Sequence, residues 1–197
     1  KINPPRLAAF EILPLVGEGK GHSDELLHSP RIESLSPAAR PMTPALVKGV
    51  LRWQIALDAR IRTLLQRPEQ RLAEPVSLAL RLGAFQLLHL DRIPAHAALS
   101  ESVELCRAAG QPHATGMVNA VLRKLAGEGA GVLSSLDRER LSTPDWLYQR
   151  WTAQSGADVA RRIAQAHQSE APLDITLRGA AAAHPQSAAL FGLSRRV

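Results

Sequence analysis

The sequence is poor in cysteine and in aromatic residues. Its 197 residues include one Cys, three Phe, three Trp and one Tyr. A single cysteine excludes an internal disulfide framework. Few aromatic side chains leave Ala and Leu to fill the core, which favours helices over sheets. Because 45% of the residues are hydrophobic, the chain can bury a core, and we expect an all-α globular protein.

Long apolar runs and metal-binding patterns are also missing. No run approaches the roughly 18 apolar residues that cross a membrane. The seven His residues are scattered, and no two have the helical spacing that a metal site needs. We therefore expect no membrane segment and no metal ion. The single cysteine adds the expectation of a cytoplasmic location.

The chain lacks the residue patterns of an enzyme site. No glycine-rich turn between a strand and a helix is present to hold a nucleotide or S-adenosylmethionine. Cys106 lies in mid-helix, where a small buried hydrophobe is a better interpretation than a nucleophile. His96 near Glu101 resembles an acid/base pair, but a histidine beside a proline in a first turn is more typical of a cap or a surface contact. We expect no catalytic residue and no cofactor in this chain.

Positive charge is in excess. The chain has 24 Lys and Arg against 18 Asp and Glu, a net charge of +6, and its pI is near 10.4. This excess suits a polyanion such as RNA, although a solvated basic surface without a partner fits it equally well. The candidates for RNA contacts are cations beside apolar helix faces: Lys1, Arg6, Arg52, Arg81, Arg92, Arg123 and Lys124.

Some of these cations have structural alternatives. Arg52 can reach Asp58 or Glu104, and a structural role for Arg52 and Arg81 is at least as well supported as an RNA role. Lys1 and Arg6 stand at a helix start that two prolines tether. They are the stronger candidates for touching a partner.

Helical periodicity runs through most of the chain. Apolar residues recur at helical spacing from Leu46 to Leu65, and we expect a bend near Trp53 to Asp58 to divide this run into two helices. Gly49 would allow a close helix crossing. The same pattern predicts further helices at 5–16, 23–28, 95–109, 113–126, 157–168 and from Thr143-Pro144 onward.

The most characteristic stretch covers residues 80–105. A nearly all-apolar helix from Val76 to Leu90 cannot present a broad wet face, so it should be the buried centre of a bundle. Pro94 lacks an N–H and disfavours helical geometry at Ile93. We therefore expect the first helix to end near Leu90 and a second to begin at Pro94 or Ala95.

Composition divides the chain into four parts. We expect a helical bundle at 1–126 and a flexible joint at 127–142, where glycines cluster. A helical linker region at 143–170 should follow. Residues 171–197 should form a truncated or irregular start of an α+β subdomain, in which 173–178 alternates like a strand.

Six segments are distinctive when they are taken in order and spacing: RLAA (6–9), LVKGVLRW (46–53), LRLGAFQLL (80–88), IPAHA (93–97), ESVEL (101–105) and VNAVLR (118–123). Together they resemble NusB-type RNA-binding domains. GVLRW, RIPAH and NAVLR are more particular, and resemble the amino-terminal domain of the RsmB (Sun, Fmu) ribosomal RNA cytosine-C5 methyltransferases. The continuation with PDWL (144–147) resembles the linking region of those enzymes.

The resemblance implies a parent protein that transfers a methyl group from S-adenosylmethionine to carbon 5 of a cytosine in 16S ribosomal RNA. It implies that this chain binds and orients the RNA, and that its partners are ribosomal RNA and a carboxyl-terminal catalytic domain of the same protein. The cofactor site and two catalytic cysteines of the family belong to that domain, not to Cys106. Two alternatives stay open: a transcription antitermination factor that binds leader RNA and ribosomal protein S10, and a purely structural bracing module.

Overall fold

The chain folds as an assembly of helices, seen in a computed structural model that describes residues 2–128 and 142–168. Within these two ranges there is no strand, which confirms the all-α class. A 3₁₀ turn at Pro112–Ala114 precedes α7. The α-helices are α1 Pro4–Gly17, α2 Ser23–Leu27, α3 Pro30–Glu33, α4 Met42–Leu64, α5 Glu74–His89, α6 Ala95–Ala108, α7 Thr115–Glu128, α8 Asp145–Ser155 and α9 Ala157–Gln168.

Helix α5 is the centre of the bundle. It packs against α4, α6 and α7 and touches α1. Most of its side chains are buried, as expected for a helix with few polar positions. The main apolar cluster extends from Ala8 to Leu125 and so lies entirely within the first seven helices.

The expected bend in the fourth helix is wrong. Helix α4 runs without a break for 23 residues. The two residues that bound the expected bend have partners on α5: Trp53 stacks on His89, and Asp58 binds Arg81. Because no proline or glycine follows Gly49 in this helix, nothing in its backbone requires an end there.

The corner between α5 and α6 is as predicted. Helix α5 ends at His89, and α6 begins at Ala95 with extended Pro94 just before it. The Ile93 N–H donates to the Leu90 carbonyl, with a distance of 3.1 Å between nitrogen and oxygen. The chain therefore reverses over a few residues, and α5 and α6 pack along each other.

Two glycines allow helices to approach closely. A Cβ added at Gly49 would overlap the ring of Phe85, which confirms the expected close crossing of α4 and α5. A Cβ added at Gly83 would lie 2.5 Å from Leu122 Cδ1 and 2.6 Å from Ser102 Oγ. Because Gly83 has no side chain, α5 can pack directly against both α6 and α7 at this point.

Helices α8 and α9 pack chiefly against each other. Ala160 and Ala164 are buried between them, and the Trp151 ring meets the His167 ring edge-on, with 5.2 Å between centroids. The helix expected at 157–168 is confirmed. Most of the expected joint at 127–142 and all of the expected subdomain at 171–197, including the strand at 173–178, lie outside the described residues.

Candidate nucleic-acid interface

Arg6 is an internal residue of the bundle. Only 5% of it is exposed. Its Nε donates to Gln86 Oε1 at 2.6 Å, and its Nη1 donates to Glu101 Oε1 at 2.8 Å. The other carboxylate oxygen of Glu101 accepts the backbone N–H of Asn3 at 2.9 Å. Arg6 therefore joins α1 to α5 and α6, and we leave it out of the RNA surface proposed below.

Arg81 also has an internal partner. Its Nε and Nη2 each donate to one carboxylate oxygen of Asp58, both at 2.7 Å. This two-pronged geometry is the strongest form of an arginine–carboxylate pair. The pairing expected for Arg52 is therefore wrong, because Asp58 binds Arg81 and Glu104 binds Arg107.

The remaining described candidates lie toward one end of the bundle. Helices α6 and α7 are joined by a short turn and pack along each other, so they are antiparallel. Leu122 lies against Gly83, near the middle of α5, so Arg123 and Lys124 lie between the middle of α5 and the corner that carries Arg92. Arg52 belongs to the same end of α5, because its neighbour Trp53 stacks on His89 with 4.7 Å between ring centroids.

We call these four cations the basic end: Arg52, Arg92, Arg123 and Lys124. The last three are exposed and Arg52 is half-buried. None of the four forms an ion pair with a described residue. Their charges are thus available to a polyanion, whereas those of Arg6 and Arg81 are matched inside the protein. Lys1 lies outside the described residues.

Two acidic residues lie near the basic end. Asp91 is exposed beside Arg92 in the corner. Glu128 would add a second negative charge at the end of α7, but Arg60 of α4 forms an ion pair with it. The surplus of positive charge at this end therefore remains.

Cys106 is a buried part of the core. Its side chain has no exposed area, and its thiol donates to the Gln111 carbonyl at 3.3 Å. Burial raises the pKa of the thiol above its usual value, which disfavours the reactive thiolate. The interpretation of Cys106 as a small buried hydrophobe is confirmed. Among the described residues, no group of His, Cys, Asp and Glu could hold a metal ion.

A pocket that the sequence did not indicate lies where α4 connects to α5. Arg62 and Arg71 are among the residues that line it. The connecting segment 65–73 has no apolar periodicity, so nothing in the sequence placed these two arginines together. The only hint in the sequence was that Arg67 and Arg71 stand close together beside Pro68. This spacing does not show which of the two arginines faces the pocket.

Comparison with known proteins identifies the family. The sequence profile of the NusB family matches residues 3–127. The chain belongs to the NusB family. In structure it is similar to NusB of T. maritima, with a TM-score of 0.58 and 23% identity over 66% of this chain and 94% of that one. This likeness shows the fold.

Its curated relatives include methyltransferases. The chain is 36% identical to ribosomal RNA small subunit methyltransferase B of Pseudomonas putida, over 73% of this chain and 33% of the relative. It is 38% identical to the protein of that name from Xanthomonas campestris, over 80% of this chain and 35% of the relative. It is 31% identical to the probable methyltransferase B of Bacillus subtilis, over 81% and 37%. The chain thus spans about a third of the length of these relatives.

No described helix of this NusB-family chain is both long enough and apolar enough to cross a membrane.

Proposed function

We propose that this chain is the RNA-binding and RNA-orienting part of a 16S ribosomal RNA (cytosine-C5) methyltransferase, acting in the cytoplasm. The observation that carries the proposal is that relatives named as methyltransferase B match most of the chain, while the chain covers only about a third of each relative. The reacting groups would lie in the part of such a protein that this chain does not span. That catalytic domain and ribosomal RNA would be its two partners.

The basic end supplies the proposed contact with RNA. Arg92, Arg123 and Lys124 are exposed and form no ion pair with a described residue, and the corner and the helix that carry them belong to the packed bundle. Cations on a rigid scaffold attract phosphates and release counterions, which gives affinity that weakens steeply with salt. The bundle at 1–126 would therefore hold the RNA, and the region at 143–170 would connect it to the catalytic domain.

S-adenosylmethionine would be the methyl donor of the whole protein. The residues that the structure describes do not form a site that fits it. These residues form helices only. They contain no strand followed by a glycine-rich turn and a helix, which is the usual cradle for such a cofactor. We therefore derive no step through it in this chain, whose own work would be to bind and orient RNA.

The RNA contact is tested with two matched double variants. Arg123→Glu with Lys124→Glu reverses two adjacent exposed charges at the basic end. Arg161→Glu with Arg162→Glu reverses two adjacent exposed charges on α9. We expect the first variant to raise the Kd for bacterial 16S ribosomal RNA about tenfold or more, and to lower the slope of log affinity against log salt by about 2. The α9 variant should change the Kd by less than about threefold.

The reaction class is tested in a chimera. The matched third of the Pseudomonas putida methyltransferase is replaced by this chain, and transfer of a labelled methyl group to 16S ribosomal RNA is measured. We expect the chimera to transfer the methyl group. Adding the Arg123 and Lys124 reversals should raise the KM for RNA and leave kcat unchanged. A folded chimera that binds RNA without methylating it would favour the antitermination factor. Full methylation that both reversals leave unaltered would favour the structural brace.

A further inference from the structure

A pocket of about 290 Å³ lies between the end of α4, the segment 65–73 and the start of α5. Its apolar lining comes from Ile61, Leu65 and Leu72, together with Pro68. The volume is near the lower limit of small-molecule sites, which measure roughly 300–1,000 Å³. A pocket of this size suits one small planar group, not a peptide or a helix.

The polar lining of the pocket carries more positive than negative charge. Arg62, Arg71 and Arg81 line it, against Asp58 and Glu69. Arg81 and Asp58 bind each other, which holds that wall in place. Arg62 and Arg71 are exposed and form no ion pair with a described residue. Two guanidinium groups are therefore free to bind an anion at the rim of a pocket whose lining is mostly polar.

Hydrogen-bonding groups complete the lining. The Ser77 hydroxyl and the Gln70 amide both belong to it, and each can donate and accept. A small apolar patch, several polar groups of both kinds and a cationic rim match the three parts of a nucleotide, which are the flat base, its polar edge and its phosphate.

We propose that this pocket accepts one unpaired nucleotide of the RNA, with its base against Leu72 and its phosphate on Arg62 and Arg71. The proposal rests on the proposed function, because it assigns the nucleotide to an RNA strand that the basic end also holds. The pocket is at the start of α5, and the basic end extends from the middle of α5 to its finish. Twelve residues separate Ser77 from His89, a rise of about 18 Å along the helix.

This separation gives the two sites different tasks. Phosphate contacts at the basic end fix where the RNA lies, without reading its bases. A base that leaves the helix and enters the pocket marks an unpaired position, which is how proteins commonly distinguish RNA loops and ends from duplex. The RNA would be oriented by two contacts at opposite ends of α5.

The experiment measures the affinity of the 197-residue chain for a labelled RNA duplex with and without a single-stranded uridine overhang. The duplex alone reports on the basic end, and the gain from the overhang reports on the pocket. We expect the overhang to tighten binding about tenfold, since a hydrogen bond to a charged group contributes up to a few kcal/mol. Arg71→Ala should abolish most of this gain and leave duplex affinity within about twofold.

The matched control is Arg67→Ala. Arg67 is an exposed arginine of the same segment, and it is not among the residues that line the pocket. Both variants remove one positive charge from one loop, so general electrostatic attraction falls equally. We expect Arg67→Ala to keep the overhang gain. Equal loss of the gain in both variants, or no gain with the unaltered chain, would overturn the proposal.

A second probe separates this proposal from the proposed function. Uridine 5′-monophosphate is titrated while backbone amide signals are followed by NMR. Shifts at Ser77 and Leu72 that Arg71→Ala removes, in a chain that binds neither RNA, would contradict the RNA-binding function and leave the pocket as a site for a free nucleotide. The same shifts in a chain that binds the duplex but gains nothing from the overhang would keep the RNA-binding function and overturn only the assignment of the pocket to RNA.

Discussion

Arg6 and Arg123 have the same side chain and opposite surroundings. Arg6 is 5% exposed and bound to Gln86 and Glu101, whereas Arg123 is exposed without an ion pair to a described residue. The sequence favoured Arg6, together with Lys1, as a partner contact, because it stands at a helix start that two prolines tether. It could not show that α5 and α6 would place an amide and a carboxylate around that position.

Arg6→Ala should destabilise the bundle strongly. The change leaves Glu101 and the Gln86 side-chain oxygen without their partner in a largely buried place, and breaking a buried pair from one side costs about 3 kcal/mol or more. The free energy of unfolding from urea denaturation measures the effect. Lys48→Ala, which breaks the exposed pair with Asp24, is the control and should leave the transition midpoint nearly unchanged. Equal effects of the two substitutions would contradict the structural role of Arg6.

The buried thiol of Cys106 should make stability depend on alkaline pH. Burial raises its pKa in the folded chain, above about 8.5 in the unfolded chain. The unfolded thiol therefore loses its proton first, and the free energy of unfolding falls as pH rises from that value toward the folded pKa. Urea denaturation at several pH values between 7 and 10 measures the decline. The decline should be smaller in Cys106→Ala, and parallel curves for both proteins would refute the assignment.

The helices show which patterns the sequence carries reliably. The corner between α5 and α6 was predicted because a proline enforces it by local geometry, independently of the rest of the fold. The continuity of α4 was not predicted, because it depends on the partners that Trp53 and Asp58 find on α5. Apolar periodicity predicts which face of one helix is buried. The partner of a polar side chain depends on the tertiary structure, which periodicity does not show.

Gly83→Ala should destabilise the packing of three helices. Its added methyl group would overlap Leu122 and Ser102, and overpacking of this kind costs about 1–3 kcal/mol. Gly116→Ala, in the first turn of α7, is the control because nothing lies within 4 Å of its added Cβ. Alanine there should be neutral or slightly stabilising. Urea denaturation should thus show a lower free energy of unfolding for Gly83→Ala and no loss for Gly116→Ala. An unchanged stability of Gly83→Ala would mean that the helices are less tightly packed.

At the scale of the molecule, the family match and the core agree in extent. The NusB profile covers residues 3–127, and the main apolar cluster lies between Ala8 and Leu125. The sequence predicted most of this bundle and its family, since both depend on the order of local motifs. It did not predict the pocket between α4 and α5, because that site depends on how the irregular segment 65–73 lies against two helices.

The bundle should fold without the rest of the chain. A fragment of residues 1–128 keeps the whole main cluster and also the ion pair between Arg60 and Glu128, while α8 and α9 pack chiefly on each other. We expect its free energy of unfolding to lie within about 1 kcal/mol of the value for the same transition in the full chain, since buried apolar area dominates stability. Its affinity for the RNA duplex should likewise be within about threefold. A loss of more than about 2 kcal/mol would show that residues beyond 128 complete the core, and the RNA-binding unit would then have to include them.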